Sequence, residues 1–271
     1  MSPRLSIIIV NFNGGVHLHR CLASLAAHPS QASTEVIVVD NASTDGSDAH
    51  VTQFPVVRLV TLPKNVGFSA GNNAGISASS GELLLLLNND TVVGSGAIDT
   101  LVARLEAHSE AGIAGPRLVD GGGRTELSFG PMISPIGELR QKAVLALHTR
   151  EFGPVTKWVE RTTRREQFVD WVSGACLLVR RRVAEDAGWL DERFFLYTED
   201  VDFCATVRAN GWKVLFTPAA EIVHLRGRSR ATATPQSNAA YRRSHLAFYE
   251  KHHPRMVPLL RAYLRLKGER P

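Results

Sequence analysis

Long apolar runs are missing from this 271-residue chain. Stretches such as residues 5–10 and 83–87 fall far short of the roughly 18–20 residues a membrane-spanning helix needs. The first residues carry no signal-peptide pattern, which predicts a cytoplasmic protein. Cysteine is scarce as well. Cys21, Cys176 and Cys204 are odd in number and widely separated, which argues against a disulfide framework or a zinc site and predicts reduced, buried thiols. The segment after the first apolar run, "NFNGGVHLHR", lacks both the G-x-G-x-x-G fingerprint and the G-K-[ST] ending of a P-loop. Ordinary NAD and ATP motifs are therefore absent. With 44% hydrophobic and 21% charged residues, the composition is that of a globular chain with a sizeable core.

Charge is unevenly placed. Residues 226–271 hold 11 Lys and Arg against Glu250 and Glu269, a formal balance of +9, which leaves −4 on the first 225 residues. A basic module thus follows a mildly acidic body, and such a surface suits nucleic acid, anionic lipid or a phosphorylated ligand.

Strand-like and helix-like segments alternate along the body. "LSIIIVNFN", "TEVIVVDNAS", "VVRLVTL" and "GELLLLLNND" read as strands, "VHLHRCLASLAAH" and the small-residue stretch around "AGNNAGISASS" as helices. Strands so uniformly apolar suit a parallel sheet covered on both faces. The order predicts an α/β protein with a doubly wound open sheet, in which ligands gather at the carboxyl ends of the strands. Those ends carry Asn11 and Asn13, Asp40 and Asn41, and Asn88 to Asp90. The five leucines at 83–87 thus end in polar residues where a ligand pocket is expected.

Five stretches in order, "SIIIVNFNG", "VIVVDNASTDGS", "NVGFSAGNNAGI", "LLLLLNNDTVV" and "VSGACLLVRRRVAEDAGWLDERFFLYTEDVDFC", the last running on to "PAAEIVHLRGRS", resemble the family-2 glycosyltransferases of GT-A fold, in particular their bacterial rhamnosyltransferase-like branch. The resemblance implies a catalytic domain over residues 1–229, with a nucleotide-sugar-binding half (1–115) and an acceptor-binding half (116–229), followed by a basic helical extension over 230–271. It implies transfer of a sugar from a nucleoside diphosphate to an acceptor hydroxyl with inversion, assisted by Mg²⁺ or Mn²⁺.

The family's D-x-D-like motif reads "NND" here, so Asp90 alone keeps the metal-binding charge. One or two carboxylates plus substrate phosphates are a usual magnesium shell. A plain turn cap is the other reading of Asp90. The resemblance adds His224 as a second metal or diphosphate contact, against the bland alternative of a satisfied core histidine. It places Val10, Asn11, Phe12, Asp40, Asn65, Gly67, Asn88, Asn89 and Arg228 around the nucleotide. Asp40 would accept the imide N–H shared by uracil and thymine, so a UDP- and a dTDP-sugar both fit. "DNASTDGS" also reads as a turn with Asp45 and Ser47 as caps.

In "FFLYTEDVDFC" the resemblance selects Asp200 as catalytic base. A positioned carboxylate that takes the acceptor's proton supplies roughly 10²–10⁴-fold. Glu199, Trp171, Ser173 and Gly174 would meet the acceptor, whereas Trp171 could equally be core and Asp202 structural. The branch favours dTDP-L-rhamnose, with a UDP-hexose or UDP-N-acetylhexosamine as the alternative, and a glycan or lipid-linked acceptor. A nucleotidyltransferase would show a basic glycine-rich loop after the first strand, and a non-catalytic binding protein would not need the strand-end acids together with "TED".

The C-terminal stretch interleaves bases with Leu246, Phe248, Leu259, Leu260, Tyr263 and Leu264, and its spacing from Val257 predicts an amphipathic helix. Its apolar face can pack on the catalytic domain, on a second subunit in a homodimer, or on a membrane. The favoured reading is peripheral contact at the inner face of the cell membrane; nucleic acid is not expected as a partner.

Overall fold

The computed structural model describes residues 2–150, 152–225 and 235–266. Its elements run β1 (Leu5–Asn11), α1 (Val16–Ala27), β2 (Thr34–Asp40), β3 (Val57–Thr61), α2 (Phe68–Ser77), β4 (Leu83–Leu87), β5 (Thr91–Val93), α3 (Ala97–Ala107), β6 (Ala111–Val119) and β7 (Phe129–Gly130). The second half continues with α4 (Pro135–Thr149), α5 (Gly153–Thr162), β8 (Gln167–Val169), β9 (Trp171–Val172), β10 (Cys176–Arg180), α6 (Arg181–Asp186), α7 (Glu199–Ala209), β11 (Lys213–His224), α8 (Pro235–His252) and α9 (Val257–Leu266).

One sheet carries the molecule, in the order β3-β2-β1-β4-β10-β6-β11-β5, with β8 also pairing β11. β3, β2, β1 and β4 are parallel neighbours, and β6 pairs β11 in parallel. β10, β5 and β8 run against their partners. The sheet is mostly parallel, as expected, with antiparallel members in the second half. "PAAEIVHL" is the latter part of the 12-residue β11 rather than a separate strand.

Successive side chains of a strand face opposite sides, and here both sides are buried. Leu83, Leu85 and Leu87 join Leu18, Leu22, Leu101 and Leu105 of α1 and α3 on one face. Leu84 and Leu86 join Val183, Phe203, Val207 and Phe248 of α6, α7 and α8 on the other. An unbroken run of leucine is what a strand between two helical layers requires.

Two features bear on the expected division of the chain. β6 runs across the 115/116 division, so the two halves share one sheet. The C-terminal helices form as expected, but Phe248, Tyr249, Leu260 and Leu264 are buried in the core on the second face. Most of the apolar stripe assigned to a membrane or a partner is therefore spent on the protein's own domain. Leu259 stays 64% exposed, and the side chain of Tyr263 lies outside the described residues. The charge is partly spent too: Lys251 bridges Asp191 and Asp202 at 3.0 and 2.8 Å, and His252 reaches Asp202 at 2.6 Å.

Candidate active site

The parallel register of β1 and β2 sets Asn11 beside Asp40, and a closed polar network grows from that pair. The Asn11 amide nitrogen donates to Asp40 Oδ1 (3.1 Å) and lies 3.0 and 2.9 Å from the hydroxyls of Ser43 and Ser47. Its amide oxygen accepts from Asn89 Nδ2 at 2.8 Å. Asp40 Oδ2 accepts the Ser43 backbone N–H at 3.1 Å. Asn41 clamps the next loop: its side chain donates to Asn65 Oδ1 and the Gly67 carbonyl, and accepts from the Val66 N–H. Gly67 has φ 90°, and a Cβ there would lie 2.5 Å from the Phe195 carbonyl oxygen. Only glycine fits this close crossing. Phe12 projects beside the network with 47% of its surface exposed, and Val10 packs beneath against Gly71 of α2.

A cavity of about 300 Å³ opens next to this network, lined among others by Asn88, Asp90, Ser173, Gly174, Glu199, Asp200 and His224. Sheet pairing explains the convergence of residues far apart in sequence. β10 lies against β4, and the Asn88 N–H donates to the Ala175 carbonyl at 2.9 Å. β5 pairs antiparallel with the end of β11, with His224 opposite Thr91, which brings His224 to Asp90.

Asp200 sits in the first turn of α7. Its Oδ2 accepts the Gly174 N–H and its Oδ1 the Val201 N–H, both at 2.8 Å. Burial raises its pKa above the ordinary carboxylate value despite those hydrogen bonds. Glu199 is only 7% exposed, and its Oε2 has no hydrogen-bond partner among the described residues. Burial first, and the Asp200 charge second, push its pKa well above the usual range. Burial thus disfavours the charged form of Glu199 beside the hydrogen-bonded Asp200 carboxylate. Tyr197 and Thr198, just before α7, take φ of 68° and 72°, an uncommon conformation for residues with a Cβ. Strain is stored next to Asp200.

Asp90 and His224 face each other, Nε2 to Oδ1, at 3.2 Å, and the other ring nitrogen lies 3.3 Å from Glu126 Oε2. Burial depresses the His224 pKa, but hydrogen bonds and charges from Asp90 and Glu126 outweigh it and raise the value to about 9. Burial would raise the Asp90 pKa, and His224 reverses that and holds it low. Among the described residues no group of three or more His, Cys, Asp and Glu forms a metal cluster. The donor set nevertheless fits a divalent cation that takes its remaining ligands from a diphosphate and water. Asp90 offers a carboxylate and His224 an imidazole backed by the Glu126 carboxylate, the arrangement usual behind a metal-bound histidine. Asn88 Oδ1, in the same cavity, is buried without a partner among the described residues. Cation binding would displace the Nε2 proton.

The structure thus brings Asn88, Asp90, Ser173, Gly174, Glu199, Asp200 and His224 to one cavity, and Asn11, Asp40, Asn65, Gly67 and Asn89 to the adjoining network. Trp171 is a correction: it is 8% exposed, in the core, with its indole N–H donating to the Pro131 carbonyl at 2.9 Å. Its polar edge is already satisfied, and it is not among the residues that line the cavity. Arg228 lies outside the described residues. Asp202, 1% exposed, is structural. Glu126, Phe68, Leu196 and Tyr197 were not singled out from the sequence; Tyr197 stands in "YTED", whereas Glu126 has no local signal.

The family described as "Glycosyltransferase like family 2" matches residues 3–250. An N-acetylglucosaminyl-diphospho-decaprenol L-rhamnosyltransferase from Mycobacterium tuberculosis is 33% identical over 272 residues, spanning 93% of this chain and 86% of its own. The structure of a mannosyltransferase from Pyrobaculum calidifontis in complex with GDP-Man and Mn²⁺ is similar with a TM-score of 0.63 at 18% identity, over 97% of this chain and 69% of that one. GalNAc-T7 with UDP, GalNAc and Mn²⁺ gives 0.64 at 15% identity, over 90% and 48%. These two likenesses bear on the fold, which is GT-A. With the family match over most of the chain and the mycobacterial relative beside it, the chain belongs to the family-2 glycosyltransferases, in their rhamnosyltransferase-like branch.

Proposed function

We propose that this cavity performs an inverting sugar transfer from a nucleoside diphosphate, dTDP-L-rhamnose first among donors, to a hydroxyl of a lipid-linked or cell-surface glycan. The observation that carries the reading is Asp200, a carboxylate fixed by two backbone N–H groups at the wall of the cavity that also holds Asp90 and His224. Its raised pKa makes it a stronger base than a solvated aspartate.

In this reading the acceptor oxygen gives its proton to Asp200 as it bonds to the anomeric carbon, and the bond to the diphosphate breaks. One displacement inverts the configuration, so no glycosyl-enzyme forms. Glu199, in the same cavity, hydrogen-bonds a sugar hydroxyl. Asp40, held by Asn11 and Ser43, accepts the imide N–H of the base, and Phe12 walls it. A cation held by Asp90 and His224 would supply charge neutralisation for the departing diphosphate. The rhamnose reading is supported by the mycobacterial relative's name; a UDP-hexose or UDP-N-acetylhexosamine is the alternative, since Asp40 does not tell uracil from thymine.

The test is a transfer assay with dTDP-L-rhamnose and UDP-sugars, with Mg²⁺ or Mn²⁺, on a lipid-linked saccharide. The product's anomeric configuration is read by NMR. Inversion with rhamnose as the best donor is expected; retention overturns the single-displacement mechanism, and preference for a UDP-sugar overturns the donor.

A further inference from the structure

The helical hairpin of α4 and α5, inserted between β7 and β8, has an outer surface that the transfer chemistry does not use. Lys157, Arg161, Arg164 and Arg165 are all exposed and gather with Glu160 around a surface hollow of about 630 Å³. None of the four pairs with an acid among the described residues. Some basic side chains elsewhere are paired with acids: Arg208 binds Asp170, Lys251 binds Asp191 and Asp202, and Arg261 binds Glu250.

Apolar groups stand out of the same hairpin. Leu139 is 73% exposed, Phe152 52%, and Leu147 and Trp158 37% each. The inward stripe of α5 is already supplied by half-buried Val155 and fully buried Val159, with Thr163 buried one turn on. Hence Trp158 and the cations are not needed to hold the hairpin in place. Trp158 also walls a cavity of about 320 Å³ together with Val144, Phe168 and Gly130. Gly130 belongs to β7, which pairs with β9, and β9 leads directly into Ser173 and Gly174 of the catalytic cavity.

We propose that the outer face of α4 and α5 docks the protein on an anionic lipid bilayer. Cations attract acidic headgroups, and aromatic rings with leucines enter the interfacial layer, which is the chemistry of a surface-bound amphipathic helix. A nucleic acid would use the same cations but leave Leu147 and Phe152 in water. The proposal goes beyond the transfer reading and does not depend on it. It also moves the membrane contact from the C-terminal segment, whose apolar side is largely buried, to this hairpin.

The test is sedimentation of the full chain with vesicles of phosphatidylcholine alone or with about 30% phosphatidylglycerol, at roughly 0.1 M salt. Binding to the anionic vesicles only, weakened by added salt, is expected. Lys157→Glu, Arg161→Glu and Arg164→Glu combined should lower partitioning roughly 10²-fold or more, and Phe152→Ser with Trp158→Ser should also lower it. Arg255→Glu with Arg261→Glu, on the C-terminal segment, should leave binding near the parent's. Circular dichroism checks folding; if the triple Glu variant does not fold, the corresponding triple Gln variant carries the same test. Transfer to a water-soluble acceptor by the triple variant at the parent's rate separates docking from chemistry. The proposal is overturned if the intact chain stays in the supernatant, if the triple variant sediments like the parent, if the C-terminal pair abolishes binding instead, or if the protein is retained on RNA or heparin without binding vesicles.

Discussion

The strand-end network around Asn11 and the cavity around Asp200 adjoin, yet they treat their polar groups in opposite ways. Around Asn11 every amide and carboxylate named above has found a partner within the protein: Asn11, Asp40, Ser43, Ser47 and Asn89 close on one another. Around Asp200, Glu199 Oε2 and Asn88 Oδ1 are buried without one among the described residues, and Tyr197 and Thr198 hold a strained backbone. A satisfied buried network rigidifies, while unsatisfied groups cost stability and are retained where a ligand completes them. The difference suits the first region to holding the loops and the proposed base contact of Asp40, and the second to the proposed transfer.

Substitutions can break this comparison. Asp90→Ala removes the carboxylate proposed to hold the cation and should lower kcat/KM by about 10²-fold or more, while Glu126→Gln, acting through His224, should weaken metal affinity roughly 10–100-fold. Titrating Mn²⁺ against turnover reads both. If activity persists in excess EDTA, the metal assignment fails.

pH sharpens the contrast. His224 has its folded-state pKa raised from 6.5 to about 9, so its contribution is complete below 6.5 and is lost as pH rises through 9. Thermal melts of the metal-free protein should show stability falling over that window by at most about 3 kcal/mol, and His224→Asn should flatten the slope. Asp200 is also raised, so it opposes stability once ionised, yet it must be ionised to act. The acid limb of kcat/KM should therefore lie above the ordinary aspartate value of 3.8.

Asn11→Ala should be the reverse of the Asp90 change. It leaves buried partners unpaired, at roughly 1–3 kcal/mol, and denaturant melts should show that loss with kcat at saturating donor little altered. Smallest is Trp171→Phe, which deletes the hydrogen bond to Pro131 for about 1 kcal/mol and should leave KM for the acceptor unchanged. A large KM effect would return Trp171 to the acceptor site.

Legibility in the sequence follows the same division. The parallel strands were readable because burial on both faces leaves apolar runs such as residues 83–87 and 36–39, with the polar change at each carboxyl end. The antiparallel insertion of β10 was not, since strand pairing depends on partners about ninety residues away, Cys176 against Leu87. Asp200 stood out through "TED" and its resemblance to known transferases. Glu126 gave no sign because its partner His224 is 98 positions on. Trp171 was misplaced for a physical reason: an indole with its N–H satisfied in the core and an indole facing a sugar have the same sequence signature. Asp202, set apart from Asp200 by the resemblance alone, is held by Lys251 and His252, whose distance in sequence left no local signal.

The most direct test of the central claim is to measure donor affinity by calorimetry and turnover on the same preparation of Asp200→Asn. The account predicts donor Kd within a few-fold of the parent, an unchanged or slightly higher melting temperature, and kcat lower by roughly 10²–10⁴-fold. Turnover at the parent's rate would contradict it and move the base elsewhere, to Glu199 first.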